Sequence, residues 1–287
     1  MFASIIRDVR YKLQTGGFWV RTIALSAVVF VMINLIKSLF SFVDDGTAGI
    51  SYYDVLHSVA ISSNWRDDWW KLWTWVTHVF VHEGFFHLLW NMLWLYWLSS
   101  IVEDFIGRRH AISLFFQSAI AGAFLFVLTA QWLPWYRGME VHAIGASAAV
   151  NGLLFAAAAI SPNYTLRLLL IGNVQIKYLA VVVLLLDLLF AGQQSNSGGH
   201  FAHLGGATWG YLYIILLRKG YNLRFPETLR RPKPPVRTFR KAPPPPKRKV
   251  PVPGEDRLNK ILDKIHQQGM ESLTQEERDF LDRASQQ

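Results

Sequence analysis

Two residues that can act as a nucleophile and its base lie at the starts of two long apolar runs. Ser147 stands in the motif G-A-S-A, and His203 begins the motif H-L-G-G. A serine hydroxyl is a poor nucleophile until a neighbouring base takes its proton. Both residues are costly to bury in lipid unless they face protein or a water-filled cavity. The pair is therefore a candidate for nucleophilic catalysis within a membrane.

Two hydrogen-bond donors lie four residues apart in another apolar run. His87 and Asn91 therefore share one face of a helix. A membrane interior supplies no water to satisfy them. Donors aimed at one point can form an oxyanion hole, where each is worth about 2.7–4 kcal/mol in acyl transfer. The alternative is that they only tie helices together, and the spacing alone favours this alternative.

Several histidines raise the question of a metal site. His82 and His87 are five residues apart, whereas the zinc-protease helix needs two histidines four apart. His78 and His82 have that spacing, but no matching third ligand is obvious, although His200 and His203 can add ligands. We therefore predict neither a metal site nor a cofactor.

The composition is typical of a membrane protein. The chain of 287 residues is 52% hydrophobic and contains 12 Trp and 19 Phe, which suits interfacial aromatic belts. Much of the net charge of +9 lies in the last third of the chain, so nothing points to a nucleic-acid partner. The chain has no cysteine, which excludes disulfides, thiolate catalysis and cysteine-ligated metals.

Six apolar runs predict six membrane spans. A helix needs about 20 apolar residues to cross a bilayer, with a range of about 17–25. The fifth run is short unless it recruits residues 174–177, and we count it because six spans satisfy the charge pattern and five do not. The runs cover about residues 18–40, 85–102, 111–132, 143–160, 178–191 and 201–217.

The loop charges predict an orientation for these spans. Six spans place most loop lysines and arginines on one side, so both termini are expected to be cytoplasmic. Ser147 and His203 then lie at similar depth, near the outer surface. The lack of a presequence, with this charge bias, suits a multi-pass protein of a bacterial inner membrane.

The chain divides into four predicted parts. Residues 1–17 form a cytoplasmic interfacial segment, and residues 18–219 form the six-span membrane domain. Residues 220–253 form a cytoplasmic linker rich in proline, lysine and arginine, and residues 254–287 form a helical tail. The basic linker either attracts anionic membrane lipids or is a solvated spacer, and both interpretations stay open.

The tail shows helix signals of its own. Apolar residues from Leu258 to Ile265 share one helical face, and Gly269 can end that helix. Thr274 with Glu277 fits a capping box that begins a second helix. The hairpin docks a cytoplasmic partner, docks onto the cytoplasmic face, or is simply a tail.

Small residues indicate that two of the spans pack closely. Gly206 and Gly210 form a small-xxx-small face on the sixth run, and the fourth run carries Gly145, Gly152 and several alanines. Such a face is ordinary in membrane helices. It is also what would bring Ser147 within hydrogen-bond reach of a histidine.

Together these motifs resemble the rhomboid family of intramembrane serine proteases. The ordered set is specific: H-x-x-x-N on the second run, G-x-S on the fourth and A-H-x-x-G-x-x-x-G on the sixth, within residues 73–210. Glu103 and Gly107 resemble the family's E-x-x-x-G. The resemblance implies an all-α membrane protein with a six-transmembrane-helix rhomboid bundle around a cavity open to the outside. It also implies that the fifth span is a lateral gate.

The resemblance implies a role for each site residue. Ser147 is the nucleophile and His203 its general base and acid, in a dyad that requires no carboxylate. His87, Asn91 and the Ser147 backbone N–H stabilise the oxyanion, and His82 is structural. The implied substrates are transmembrane proteins, cut near their outer membrane boundary.

Three departures from the family pattern and one carboxylate need an explanation. Ala148 replaces the usual glycine after the serine, Asn151 replaces an aromatic residue that often stacks on the imidazole, and Thr74 follows Trp73 where arginine is usual. Asp187 in the fifth run is a third triad member, a gate latch or a paired structural residue, and we leave it out of the predicted catalytic set.

Two other function classes are alternatives to a protease. A non-catalytic relative that binds membrane helices typically lacks the serine or the histidine, whereas this chain keeps both; only Ala148 and Asn151 support it. A transporter would show inverted repeats with interrupted helices, and the sequence contains no internal repeat. We therefore predict a serine-type endopeptidase.

Overall fold

The computed structural model describes residues 11, 17–43, 51–64, 66, 69–136, 140–168, 172–193, 196–225 and 255–285. They fall into two compact units, residues 1–227 and 228–287. The predicted interfacial segment (apart from Tyr11 and Gly17) and the linker beyond residue 225 lie outside the described residues.

The described part of the first unit is built mainly from α-helices. Two 3₁₀ turns, His78–Phe80 and Pro134–Tyr136, lie between helices. Among the described residues, the helices are α1 Gly17–Val43, α2 Tyr52–His57, α3 Thr74–Thr77, α4 Phe85–Ile106, α5 Arg108–Trp132, α6 Ser147–Ile160, α7 Ile176–Phe190 and α8 Ser197–Arg218.

Each of the six predicted apolar runs coincides with one helix of this unit, namely α1 and α4 to α8. Within the described residues, α1, α4 and α5 are long and apolar enough to cross a membrane, and α6 is a shorter apolar helix. The chain is therefore a helical membrane protein, while six spans remain a prediction. Two boundaries differ from the prediction. Helix α6 begins only at Ser147, and α7 begins at Ile176, so it includes Lys177 but not Val174.

Two short antiparallel ribbons were not predicted. Strand β1 (Ile61–Ser62) pairs with β2 (His142–Ala143), and β3 (Thr165–Leu168) pairs with β4 (Gly172–Gln175). The first ribbon ties the loop after α2 to the segment before Ser147. The second occupies the turn before α7, which is why the apolar Val174 lies in a strand instead of the helix.

Helix α6 lies at the centre of the bundle, packed between α5, α4 and α8. A Cβ added to Gly206 or Gly210 of α8 would overlap the backbone of Ala148 or Gly152 on α6. The small-residue faces of the two helices are therefore in backbone contact, as the sequence predicts. Ala148 is buried and faces Gly122 of α5, so the departure from glycine at position 148 is accommodated there.

Glu103 and Gly107 organise the turn between α4 and α5. Glu103 accepts hydrogen bonds from Trp19 Nε1 of α1 and from Arg108 Nε at 2.7 Å. Gly107 has φ +80°, a backbone conformation that favours glycine and lets α5 begin directly after α4. This pair therefore links three helices at the end of α4.

The second unit is a helical hairpin of α9 (Glu255–Gln268) and α10 (Gln275–Ala284). Gly269 follows α9 with φ +80°, and Thr274 forms a reciprocal capping box with Glu277, so both sequence predictions are confirmed. Lys264 Nζ donates to the same Glu277 carboxylate at 2.8 Å and links the two helices.

Candidate active site

Ser147 is the first residue of α6, and the turn before it is shaped by Gly145. Gly145 has φ +108°, and a Cβ there would lie 2.7 Å from His87 Nε2. Its backbone N–H donates to the His78 carbonyl at 2.8 Å. Only glycine satisfies both the backbone angle and the space, which explains the glycine two residues before the serine.

The central contact of the site is a hydrogen bond between Ser147 and His203. Ser147 Oγ lies 2.8 Å from His203 Nε2. The backbone contact between α6 and α8 brings the two residues, 56 positions apart, into reach. If Nε2 accepts the hydroxyl proton, Nδ1 must carry the ring hydrogen, and this is the tautomer that a general base requires.

A carboxylate lies on the far side of the same imidazole. Asp187 Oδ1 on α7 is 2.8 Å from His203 Nδ1 and also 2.8 Å from His200 Nδ1. The Asp187 side chain is only 8% exposed. Serine, histidine and carboxylate therefore form one continuous hydrogen-bonded chain, which the predicted set omitted. The available signal was a single acid in an otherwise apolar run.

The bond to Asp187 also bears on Asn151. Asn151 stands where the family often has an aromatic residue that stacks on the imidazole, and an amide there could instead form a hydrogen bond with the His203 ring. Both ring nitrogens are occupied, by Ser147 and Asp187, so none is left for Asn151. Asn151 is buried and lines the cavity beside the serine.

His87 and Asn91 lie beside Ser147 on the wall of the same cavity. Asn91 Nδ2 donates to the His87 carbonyl at 2.8 Å, one turn earlier in α4. An amide carries a second N–H, so this bond leaves one donor for another partner. Both predicted donors therefore line the same cavity as the serine.

His82 supports the turn that carries the serine. Its ring is fully buried, and Nε2 accepts the backbone N–H of Ala146 at 3.4 Å. Burial lowers the pKa of His82 to about 4, so the ring stays neutral and can accept this bond at physiological pH. His82 thereby satisfies one of the donors that the start of α6 leaves without a helical partner.

Ser147 is open to two neighbouring cavities. The larger, of about 470 Å³, lies between α4, α7 and α8, and the smaller, of about 370 Å³, lies towards β2 and His78. His87 and Ser147 line both. The wall of the larger cavity is mostly apolar and includes Phe86, Trp90, Trp94, Leu179, Val183 and Leu186.

Asp187, His200 and His203 are also a conceivable set of metal ligands. One ligand atom of each lies within 4.8 Å of the others. A metal ion would need the lone pairs of both Nδ1 atoms, whereas an Nδ1 that donates its hydrogen to Asp187, 2.8 Å away, has no lone pair to offer. The hydrogen bonds account for the cluster.

The Rhomboid domain model matches residues 69–220, more than half of the chain. A second model, of a family of unknown function (DUF6576), matches the tail, residues 254–287. The two models match separate parts of the chain.

Three curated relatives carry rhomboid names. RHOMBOID-like protein 12, mitochondrial, from Arabidopsis thaliana is 25% identical over 160 residues, covering 52% of this chain and 48% of that protein. Rhomboid protein 1, mitochondrial, from Saccharomyces cerevisiae is 31% identical over 139 residues (47% and 38%). Rhomboid protease GlpG from Salmonella choleraesuis is 29% identical over 70 residues (24% and 25%).

The chain spans less than half the length of each of these relatives. Two of them are named as mitochondrial, so the comparisons do not support the predicted bacterial inner membrane. The predicted orientation, with both termini cytoplasmic, stays a prediction.

Proposed function

The chain belongs to the rhomboid family, and we propose that it is an intramembrane serine endopeptidase. The observation that carries the proposal is the 2.8 Å hydrogen bond between Ser147 Oγ and His203 Nε2 at the wall of a cavity. A nucleophile within hydrogen-bond reach of an oriented base is the arrangement that acyl transfer requires.

In the proposed reaction, His203 transfers one proton in each of two steps, acylation and hydrolysis. Nε2 takes the Ser147 proton as Oγ attacks the substrate carbonyl, and then gives it to the leaving amine as the peptide bond breaks. A water molecule next loses a proton to Nε2 and attacks the ester. Ser147 regains the proton when the carboxylic product leaves, so the enzyme returns to its starting state.

The oxyanion of the tetrahedral intermediate needs donors beside Ser147. The backbone N–H of Ser147 opens α6, where the first N–H groups have no helical partner and carry partial positive charge. His87 and Asn91 line the same cavity, and we assign them the other donors. Each such donor is worth about 2.7–4 kcal/mol in the transition state.

The proposed substrates are transmembrane helices. The apolar cavity between α4 and α7 suits one apolar side chain of an unwound substrate segment, with the scissile carbonyl at Ser147. We further propose that cleavage falls near the outer membrane boundary, because the predicted orientation places the start of α6 there. The natural substrates would then carry helix-destabilising residues at that depth.

A fluorophosphonate probe tests the activated serine directly. The purified full chain in detergent is compared with Ser147→Ala and His203→Ala. Ser161→Ala is the matched control, because Ser161 caps the opposite end of the same helix. We expect labelling of the wild type and of the control, and none of the two site variants.

Labelling that persists without Ser147 would place the nucleophile elsewhere. A folded wild type that never labels would instead favour the second candidate, a non-catalytic relative that binds membrane helices.

A further inference from the structure

The geometry points to Asp187 as a positioning residue for His203, with His200 holding Asp187 in turn. The inference rests on the proposed serine chemistry and extends it from a dyad to a chain of four residues. That chain is Ser147, His203, Asp187 and His200, contributed by α6, α8 and α7.

The first argument is the tautomer of His203. Its Nε2 can take the serine proton only if its ring hydrogen is on Nδ1. Asp187 Oδ1, at 2.8 Å from Nδ1, accepts that hydrogen and has none of its own to offer when ionised. A carboxylate there also stabilises the imidazolium that forms as Ser147 attacks.

The second argument is the cost of placing an acid at this position. Asp187 stands in α7 between apolar neighbours, with 8% of its side chain exposed. A lone buried carboxylate is strongly unfavourable and usually has a functional partner. Two imidazole donors on one oxygen supply that compensation, and His200, at 2.8 Å, fixes the direction of the carboxylate.

The third argument separates positioning from a simple link between helices. If Asp187 only latched α7 to α8, a bond to His200 alone would serve. The acid instead meets the one ring nitrogen that the serine does not use. A latch also predicts the opposite effect on substrate cleavage, since its removal would free α7 to move and admit a substrate helix more easily.

Two assays on the purified full chain distinguish these roles. A small fluorophosphonate reaches Ser147 without a gate, so its labelling rate reports activation of the serine. Cleavage of a tagged transmembrane helix reports kcat and KM. The variants are Asp187→Asn, Asp187→Glu and His200→Gln, with Leu185→Ala as control, because Leu185 lies on the exposed face of the same helix.

An amide at position 187 can present its N–H groups to Nδ1 and stabilise the wrong tautomer. The equivalent change costs about 10⁴ in kcat in a chymotrypsin-type triad. His203 is 21% exposed, so water can replace part of the lost interaction. We therefore expect Asp187→Asn to lower both labelling and kcat by about 10²–10³, with KM little changed.

The other variants make the test specific. Asp187→Glu keeps the carboxylate and should recover part of the lost rate. His200→Gln should cause a smaller loss than Asp187→Asn, since it leaves the bond to His203 in place. Leu185→Ala should match the wild type in both assays.

Any of four results would overturn the assignment of Asp187 as a positioning residue. Labelling of folded Asp187→Asn at the wild-type rate excludes a positioning role, and faster helix cleavage by that variant establishes the latch. A wild type that never labels defeats the proposed function, and this inference with it. If Asp187→Asn does not fold, the NMR signal of the His203 Nδ1 proton in the wild type provides the test. We expect a downfield, slowly exchanging signal that is lost in His203→Ala. Its absence from the wild type refutes the inference.

Discussion

A Cβ at position 206 should separate the two helices that carry the nucleophile and the base. An added Cβ on Gly206 would lie 2.7 Å from the Ala148 carbonyl carbon. The Cβ would come closer still to the Ala148 carbonyl oxygen, and carbon atoms pack at about 3.5 Å, so Gly206→Ala requires α6 and α8 to move apart by at least about 0.8 Å. The atoms nearest to this Cβ all belong to the Ala148 backbone, so no flexible side chain can move aside to make room.

The expected magnitude follows from that displacement. A separation of the helices along the bond between Ser147 Oγ and His203 Nε2, now 2.8 Å, would lengthen it to about 3.6 Å or more, which is outside the hydrogen-bond range. A misplacement of about 1 Å costs about 10²-fold in rate. Overpacking also costs about 1–3 kcal/mol of stability.

The assay compares labelling rate and thermal unfolding of Gly206→Ala with those of Gly192→Ala. A Cβ on Gly192 meets no atom of the described residues within 4 Å, so this control should behave as the wild type. We expect about a 10²-fold slower labelling of Gly206→Ala at temperatures where it is folded. Unchanged labelling would refute the reasoning that backbone contact sets the distance between the catalytic residues.

Three further predictions address the surrounding structure. Burial lowers the pKa of both His78 and His82 to about 4. In the unfolded chain these histidines have their ordinary pKa of about 6.5. Between about pH 6.5 and 4 the unfolded state therefore binds protons that the folded state does not bind. Stability should be full above about pH 6.5 and fall as the pH drops towards 4, and a melting temperature that does not decline over that range would contradict the burial argument. A chelator should leave the labelling rate unchanged, since hydrogen bonds account for the cluster around Asp187; loss of labelling that zinc restores would show a functional metal. Thr274→Ala removes the capping box of α10 and should destabilise the tail hairpin by about 1 kcal/mol, measured by circular dichroism, without altering the labelling rate.

The sequence could predict most of the helices because long apolar runs and glycine faces are strong, local signals. Gly206 and Gly210 on the sixth run, with Gly152 and several alanines on the fourth, predict that these two helices pack closely, and the structure places the two glycines against Ala148 and Gly152. The start of the second tail helix could be predicted from Thr274 and from Glu277 three residues later. These features depend on spacing within one segment, which a sequence displays directly.

The features that the sequence could not supply depend on contacts between distant segments. Strand β1 is two residues long, which is too short to show a periodic pattern in the sequence. Its partner strand lies about 80 positions away. Asp187 was visible as an acid in an apolar run, but its partner could not be identified. Only the packing of α7 against α8 places its oxygen on the ring nitrogen opposite Ser147.

The most direct test of the central claim is cleavage of a transmembrane helix in proteoliposomes. The reporter is a single-pass helix, and mass spectrometry of the fragments locates the cut. Wild type and Ser161→Ala should produce one cut near the outer end of the helix, whereas Ser147→Ala and His203→Ala should produce none. Equal cleavage by Ser147→Ala, or no cleavage of any helix by a wild type that labels with fluorophosphonate, would contradict an intramembrane serine endopeptidase.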